Sequence, residues 1–491
     1  MGIIAKQSIR GTIVTYLGIA VGFVTTFFVL TRFLTTEEIG LTRVLIDAAT
    51  LFIGLAQLGT SNSIIRFYPY FHEQDNRTHG FFFWTLIVPF VGFCLFAVVY
   101  CACHVPLAAW FGEKSPLFVD YYYLVLPLAF FMLYQLVFET NANVLMQIVV
   151  PKAVRELWVR VGLLALYLLY AFRVLSINGL VIGICINYGV AAFINLAYLL
   201  SLHAVDWRPD MAFLRANTQL VRRYVRYTAF LIISALAATV APLLSSFFIT
   251  AKMGLDSTGI FAIATYMAAV VGVPYRSVTA IVSPQLSRAI KEQDRDQCSH
   301  LIQQVTGTML LVGGFILLTI WVNIDLIFLI LPNGQTYAVA RYVVLFLGLS
   351  QLILSTFTIC LTALNYSRFY AFSLLLSLIL TGSVLLLNNY LIPRYGIDGA
   401  ALSNLIAYAL YGLLLVLTLV PICRLKIVNR RWAYTALLLL TIFVLNALWC
   451  RYIPTINIWL DSILRSIILL GGGLWIAYRA KLSPEINALF S

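Results

Sequence analysis

Arg43, Asp47, Thr50, Gln57 and Ser61 fall in one stretch of membrane-span length, at steps of four, three, seven and four residues. On a helix with about 3.6 residues per turn these steps place them, with Gly54, on one face. Val44, Leu45, Leu51, Phe52 and Ile53 take much of the rest. The chemistry open to such a stripe is recognition: a guanidinium fork matches phosphate oxygens in pairs, and a carboxylate can take up a coupling ion. Ionisable groups at membrane depth are costly, so they face protein or water, and this second helix is expected to line a central cavity. The same spacing also fits a local Arg43 to Asp47 ion pair that does no more than hold helices together.

Two further stripes share the pattern. Gln135, Glu139 and Asn143 recur at steps of four, and Gln351, Ser355, Thr358, Thr362 and Asn365 at steps of four and three. Stripes in both halves of the chain imply a polar cleft at their interface, with hydrogen bonding between helices as the plainer reading. The substrate-contact candidates are Arg43, Arg66 and Arg276, then Arg32, Lys252, Arg341, Gln57 and Gln351, while Asp47 and Glu139 are the candidates for ion coupling. Bases near helix ends also snorkel to lipid headgroups. The aromatic residues, Tyr121-Tyr122-Tyr123 among them, suit interface belts and can stack on sugar rings.

No catalytic constellation accompanies these residues. There is no Walker Gly-Lys-Ser/Thr loop and no His-Glu-x-x-His, and the five histidines stand apart. Cys101-Ala-Cys103-His104 has no second cluster to complete a metal site, and the other cysteines are isolated in apolar runs. The chain is read as a non-enzyme without cofactor or metal.

The elements that must position these side chains are membrane helices. The 491 residues are 62% hydrophobic and 10% charged, too few charges to clothe a soluble domain. The expected fold is an all-α polytopic membrane protein with about fourteen spans. They are expected near residues 11–31, 39–62, 80–104, 117–143, 153–173, 179–202, 224–249, 256–280, 301–322, 337–362, 369–390, 396–421, 432–450 and 457–478. No connection is long enough for a soluble domain. Pro89, Pro127, Pro242 and Pro274 are expected to bend the spans that contain them.

The net charge of +13 is mostly a topology signal and not a nucleic-acid footprint. Sorted by loop, the bases favour one side by about three to one, which places both termini in the cytoplasm. Trp207-Arg208-Pro209-Asp210 opens a cytoplasmic linker whose Phe213, Leu214, Leu220 and Val221 suit the inner leaflet.

An internal repeat divides the chain. Phe27-Phe28 with Arg32 returns as Phe247-Phe248 with Lys252, shifted by 220. Gly40 returns as Gly259 and Glu73-Gln74-Asp75 as Glu292-Gln293-Asp294, both shifted by 219. Ile177-Asn178-Gly179 returns as Ile397-Asp398-Gly399. Helices 1–6 and 7–12 are thus two parallel copies of one unit, giving a bundle at 1–202, a linker at 203–223, a second bundle at 224–421 and two added helices at 422–491.

This plan resembles the polysaccharide flippases of the multidrug/oligosaccharidyl-lipid/polysaccharide exporter superfamily. The resemblance rests on the doubled six-helix unit, on Phe27-Phe28-Val29-Leu30 followed by Thr35-Thr36-Glu37-Glu38-Ile39-Gly40, and on Val282-Ser283-Pro284-Gln285-Leu286-Ser287. It implies an inner-membrane transporter that flips a polyprenyl-pyrophosphate-linked oligosaccharide to the outer leaflet by alternating access, for cell-surface polysaccharide such as lipopolysaccharide. Membrane lipids and glycan-assembly enzymes are the implied partners. Similar flippases have a cationic cavity, which Arg43 matches. The alternatives are a cation-coupled multidrug or metabolite antiporter of the same fold and a membrane glycan polymerase or ligase. The drug-exporting branch often carries an acidic residue in its first helix, and residues 11–31 have none.

Overall fold

The computed structural model describes residues 3–71, 80–202, 209–211, 215, 217–367, 369, 371–422, 425–453 and 457–482. Glu73-Gln74-Asp75, Trp207, Arg208, Phe213 and Leu214 lie outside them. Helix is the only regular structure among the described residues, and eleven helices there are long and apolar enough to cross a membrane. In lipid this is obligatory, because every backbone polar group must be satisfied within the segment. The chain is an all-α, multi-pass membrane protein.

The spans of the first half are α1 (Ile13–Phe33), α2 (Thr36–Ala56), α3 (Phe81–Ala102), α4 (Tyr122–Val144), α5 (149–171) and α6 (Ile177–Ser201). They are followed by α7 (Thr218–Met253), α8 (Leu255–Tyr275), α9 (Arg295–Val322) and α10 (Arg341–Tyr366). A single helical run, Ala371–Ile422, is broken at Gly396, whose φ of 58° only glycine adopts freely, into α11 (371–395) and α12 (397–422). The last two are α13 (Arg430–Tyr452) and α14 (Ile458–Arg479). The described helices thus occupy all fourteen expected places.

By its contacts the chain divides into two compact units, Met1–Gly259 and Ile260–Ser491. In the first, α2 is the interior helix: 72% of its apolar window is buried, against 22% for α3, which faces outward to lipid. A capping box starts α2, with Glu38 N–H donating to Thr35 Oγ1 (3.2 Å) and Thr35 N–H to Glu38 Oε2 (2.9 Å). Glu37 and Glu38 also complement the positive end of the helix dipole. Span 2 was expected to run to residue 62. Instead it ends at Ala56, and Leu58 and Gly59 turn the chain with φ of 47° and 68° before a separate helix, Thr60–Phe71. Ser61 therefore leaves the α2 face, although its hydroxyl still donates to Gln57 Oε1 at 3.0 Å.

The repeat-related glycines meet within this unit. A Cβ on Gly40 would lie 2.0 Å from the Leu255 carbonyl oxygen, and one on Gly259 would lie 2.0 Å from that of Thr36. Only hydrogen allows so close a crossing of α2 and α8. Pro274 lies inside α8 as expected, where a short 3-10 turn, Val270–Gly272, precedes it and it occupies the first turn of the helical run Val273–Lys291. No hydrogen bond is lost in that first turn, so it introduces no kink of its own.

In the second unit α9 and α10 are the interior helices, each 61% buried in its apolar window. Phe315 and Leu318 of α9 join Leu439 and Ile442 of α13 and Leu469 of α14 in one apolar core. Arg465, near the start of α14, is buried. Its guanidinium pairs with Asp461 at 2.7 Å, and Trp449 Nε1 donates to the other Asp461 oxygen at 2.8 Å.

Candidate functional site

The three polar stripes meet different fates. On α2, Arg43 Nε donates to Asp47 Oδ2 at 2.9 Å. The Asp47 side chain is 6% exposed and that of Arg43 22%, so the carboxylate is sealed while the guanidinium is reached at its edge. Thr50 Oγ1 turns back to the Ile46 carbonyl (2.7 Å), and Gln57 closes the helix end. On α10 the hydroxyls also fold onto their own helix. Ser355 donates to the Leu352 carbonyl (3.1 Å) and Thr362 to that of Thr358 (3.1 Å). Tyr275 lies within hydrogen-bonding reach of Thr358 and Thr362, and Gln351 Oε1 sits against Gly272, so this face is a polar seam between neighbouring helices.

The α4 stripe is not closed in this way. Glu139 and Gln135 are both 5% exposed, yet among the described residues Glu139 Oε2 and Gln135 Nε2 have no hydrogen-bond partner, and Asn143 Oδ1 one turn further on has none either. Buried polar atoms in native proteins are nearly always paired, so three on consecutive turns set this face apart from the α10 stripe. Glu139 Oε1 accepts from Arg155 of α5 at 2.6 Å. Arg155 Nε donates to Glu156 Oε1 at 3.3 Å, and Arg160 donates to Glu156 Oε2 at 2.9 Å. Two carboxylates and two guanidiniums thus alternate in one network.

The sequence around α5 explains the placement. Val154–Trp158 forms a π-helical turn, which widens the helix and lets the adjacent residues Arg155 and Glu156 both enter the network. The first span packs against it through two glycines: a Cβ on Gly18 would lie 2.3 Å from the Glu156 carbonyl oxygen, and one on Gly22 would lie 3.2 Å from an Arg160 nitrogen. Sequence reasoning counted Arg155 and Arg160 among the cytoplasmic-side bases and singled out neither them nor Glu156 as site residues. The signal was an Arg-Glu pair with a second Arg four residues after the Glu, at the start of an expected span.

The other candidate bases are held by aromatic rings. Arg32 is exposed over Phe33, Arg66 over Phe67 and Lys252 half-buried over Phe248, at 5.4, 5.9 and 5.4 Å from the ring centres. Arg341 pairs with Asp325 at 2.9 Å beside Trp321. The side chain of Arg276 lies outside the described set. Among the described residues no three His, Cys, Asp or Glu gather as metal ligands.

Long apolar helices, with ion pairs inside the first unit, define an all-α polytopic membrane fold. Residues 4–290 match the family described as Polysaccharide biosynthesis protein, and the chain belongs to that family. The structure is similar to one titled "Lipid II flippase MurJ, inward closed conformation", with a TM-score of 0.72 at 13% identity, covering 96% of this chain and 99% of that one. It is also similar to an inward-facing multidrug resistance MATE family transporter of the MOP superfamily (TM-score 0.59, 14% identity, 86% and 96% covered). The Vibrio cholerae MATE transporter VcmN in its bent form gives 0.55 at 14% identity, with 84% and 96% covered. No curated protein matches the chain. The chain is a multi-pass membrane protein of the polysaccharide biosynthesis family, with the fold of these transporters.

Proposed function

We propose that the chain flips a polyprenyl-diphosphate-linked oligosaccharide from the inner to the outer leaflet of the plasma membrane, with both termini cytoplasmic. The observation that carries this reading is a guanidinium, Arg43, placed at membrane depth on the interior helix α2 of a chain that belongs to a polysaccharide biosynthesis family. The fold it shares with a lipid II flippase over 96% of its length supports the same reading. Arg43 contacts the diphosphate, Arg66 and Arg276 assist, and Arg32, Lys252, Arg341, Gln57 and Gln351 are the outer candidates. Asp47 and Glu139 are the acids available for ion coupling. Glycan-assembly enzymes are the partners that supply and consume such a lipid.

The test is delivery of a fluorescent polyprenyl-diphosphate saccharide across vesicles containing the purified protein. Arg43→Ala is expected to slow delivery by about tenfold or more, the scale of one charged hydrogen bond, and Arg43→Lys to restore part of it. Delivery by Arg43→Ala at the wild-type rate retires the contact. Transport of cationic drugs in place of the diphosphate lipid, in the same vesicles, overturns the substrate class.

A further inference from the structure

We infer that Arg155 and Glu139 form a proton-exchanged binding site for the phosphate part of the substrate, in which the Glu139 carboxylate occupies the guanidinium until a phosphate oxygen displaces it and Glu139 takes up a proton. This rests on the proposed substrate class and adds the site and the event that accompanies binding.

Three features lead there. The Arg155 side chain is 47% exposed although its inner end reaches a carboxylate that is 7% exposed, so the guanidinium bridges an accessible face and a sealed one. Glu139 holds only one of its oxygens against Arg155, and Oε2 has no partner. An ionised carboxylate with one oxygen buried and unpaired is an expensive state, whereas a protonated one needs fewer partners. The network is also balanced, with Glu139 and Glu156 against Arg155 and Arg160. A doubly charged phosphate group entering it leaves excess negative charge, and one proton on Glu139 removes part of that excess.

The charged groups on the helices packed around α4 are few. They are Lys152, Arg155, Glu156 and Arg160 on α5, Glu37, Glu38, Arg43 and Asp47 on α2, and Arg66 on Thr60–Phe71, while α3 and α6 carry no acidic or basic residue. Arg155, Glu156 and Lys152 act directly on the Glu139 carboxylate. In the step itself no covalent bond to phosphorus changes. The Arg155 N–H donors pass from Glu139 Oε1 to a phosphate oxygen, and a proton from water adds to Glu139. Buried Gln135 Nε2, one turn away, supplies a donor with no present partner.

Because a proton is taken up on binding, affinity rises as the pH falls, by at most about tenfold per pH unit. Farnesyl diphosphate carrying one N-acetylglucosamine, esterified at both ends so that its own charge stays fixed between about pH 6 and about pH 8, is the probe, with farnesol as the uncharged control, on purified full-length protein in lipid nanodiscs. The wild type is expected to bind the diphosphate more tightly at about pH 6 than at about pH 8 and to take up close to one proton, read with a pH dye in weak buffer. Glu139→Gln mimics the protonated acid and is expected to bind with the same affinity at both pH values, without proton uptake. Arg155→Ala is expected to lose about tenfold or more in affinity, and Arg155→Lys to recover part of it.

Wild-type binding with no proton uptake, or a pH dependence that survives in Glu139→Gln, overturns the inference and leaves the proposed substrate standing. Wild type that prefers farnesol to the diphosphate at every pH overturns the proposed substrate itself. Should Glu139→Gln fail to fold, judged by its melting midpoint, the wild-type proton count decides alone.

Discussion

The stripes on α4 and α10 have nearly the same spacing and opposite outcomes. On α10 the three middle side chains, Ser355, Thr358 and Thr362, are short hydroxyls, which reach back to the carbonyl four or three residues earlier and satisfy themselves within one helix. On α4 they are Gln135, Glu139 and Asn143, which stand off the helix and must find partners elsewhere, and each keeps a polar atom without one among the described residues. Periodicity locates a polar face. Whether that face is a seam or a site depends on how far its side chains reach and whether the neighbouring helix answers them.

The largest expected effect sharpens this contrast. Arg155→Ala removes the group that answers Glu139 and leaves a buried carboxylate uncompensated, which costs about 3–5 kcal/mol in comparable buried pairs. The yield of folded, detergent-extracted protein should fall, and Glu139→Gln in the same chain should return most of it. An Arg155→Ala variant as stable as wild type means the α4 face is already satisfied and the contrast fails.

The α2 pair is expected to fall next. Arg43→Ala strands Asp47, and the double change Arg43→Ala with Asp47→Ala should restore stability while transport stays absent. Recovery of both folding and transport assigns the pair to helix packing alone. A smaller effect is expected for Gln135→Leu, which removes a buried donor with no partner. Deleting an unsatisfied group is neutral or stabilising, so its melting midpoint should hold or rise while binding of the diphosphate weakens by about tenfold. Smallest is Ser355→Ala with Thr358→Val on α10, where stability should change by about 0.5 kcal/mol or less and transport not at all. A large transport defect there turns the seam into a site.

Much of the fold was legible because lipid leaves so few options: a run of about twenty apolar residues has one stable conformation. Each expected span met a helix. The break after Ala56 was hidden because Gln57-Leu58-Gly59-Thr60 interrupts the apolar run too briefly, and a turn of two left-handed residues needs no proline. The site was half legible. Glu139 stood out as an acid in an apolar helix, but its partner is sixteen residues away on another span, and the π-turn that aims Arg155 leaves no periodic trace.

The crossing of Gly40 and Gly259 is an isologous contact made by a single chain. Thr36 faces Gly259 as Leu255 faces Gly40, with the reciprocity that a two-fold axis imposes on identical subunits. The two glycines therefore answer to one constraint. A side chain added at either position meets a carbonyl at the same distance, so alanine at either should cost alike, and no compensating change is available on the other helix, where the partner has nothing left to remove.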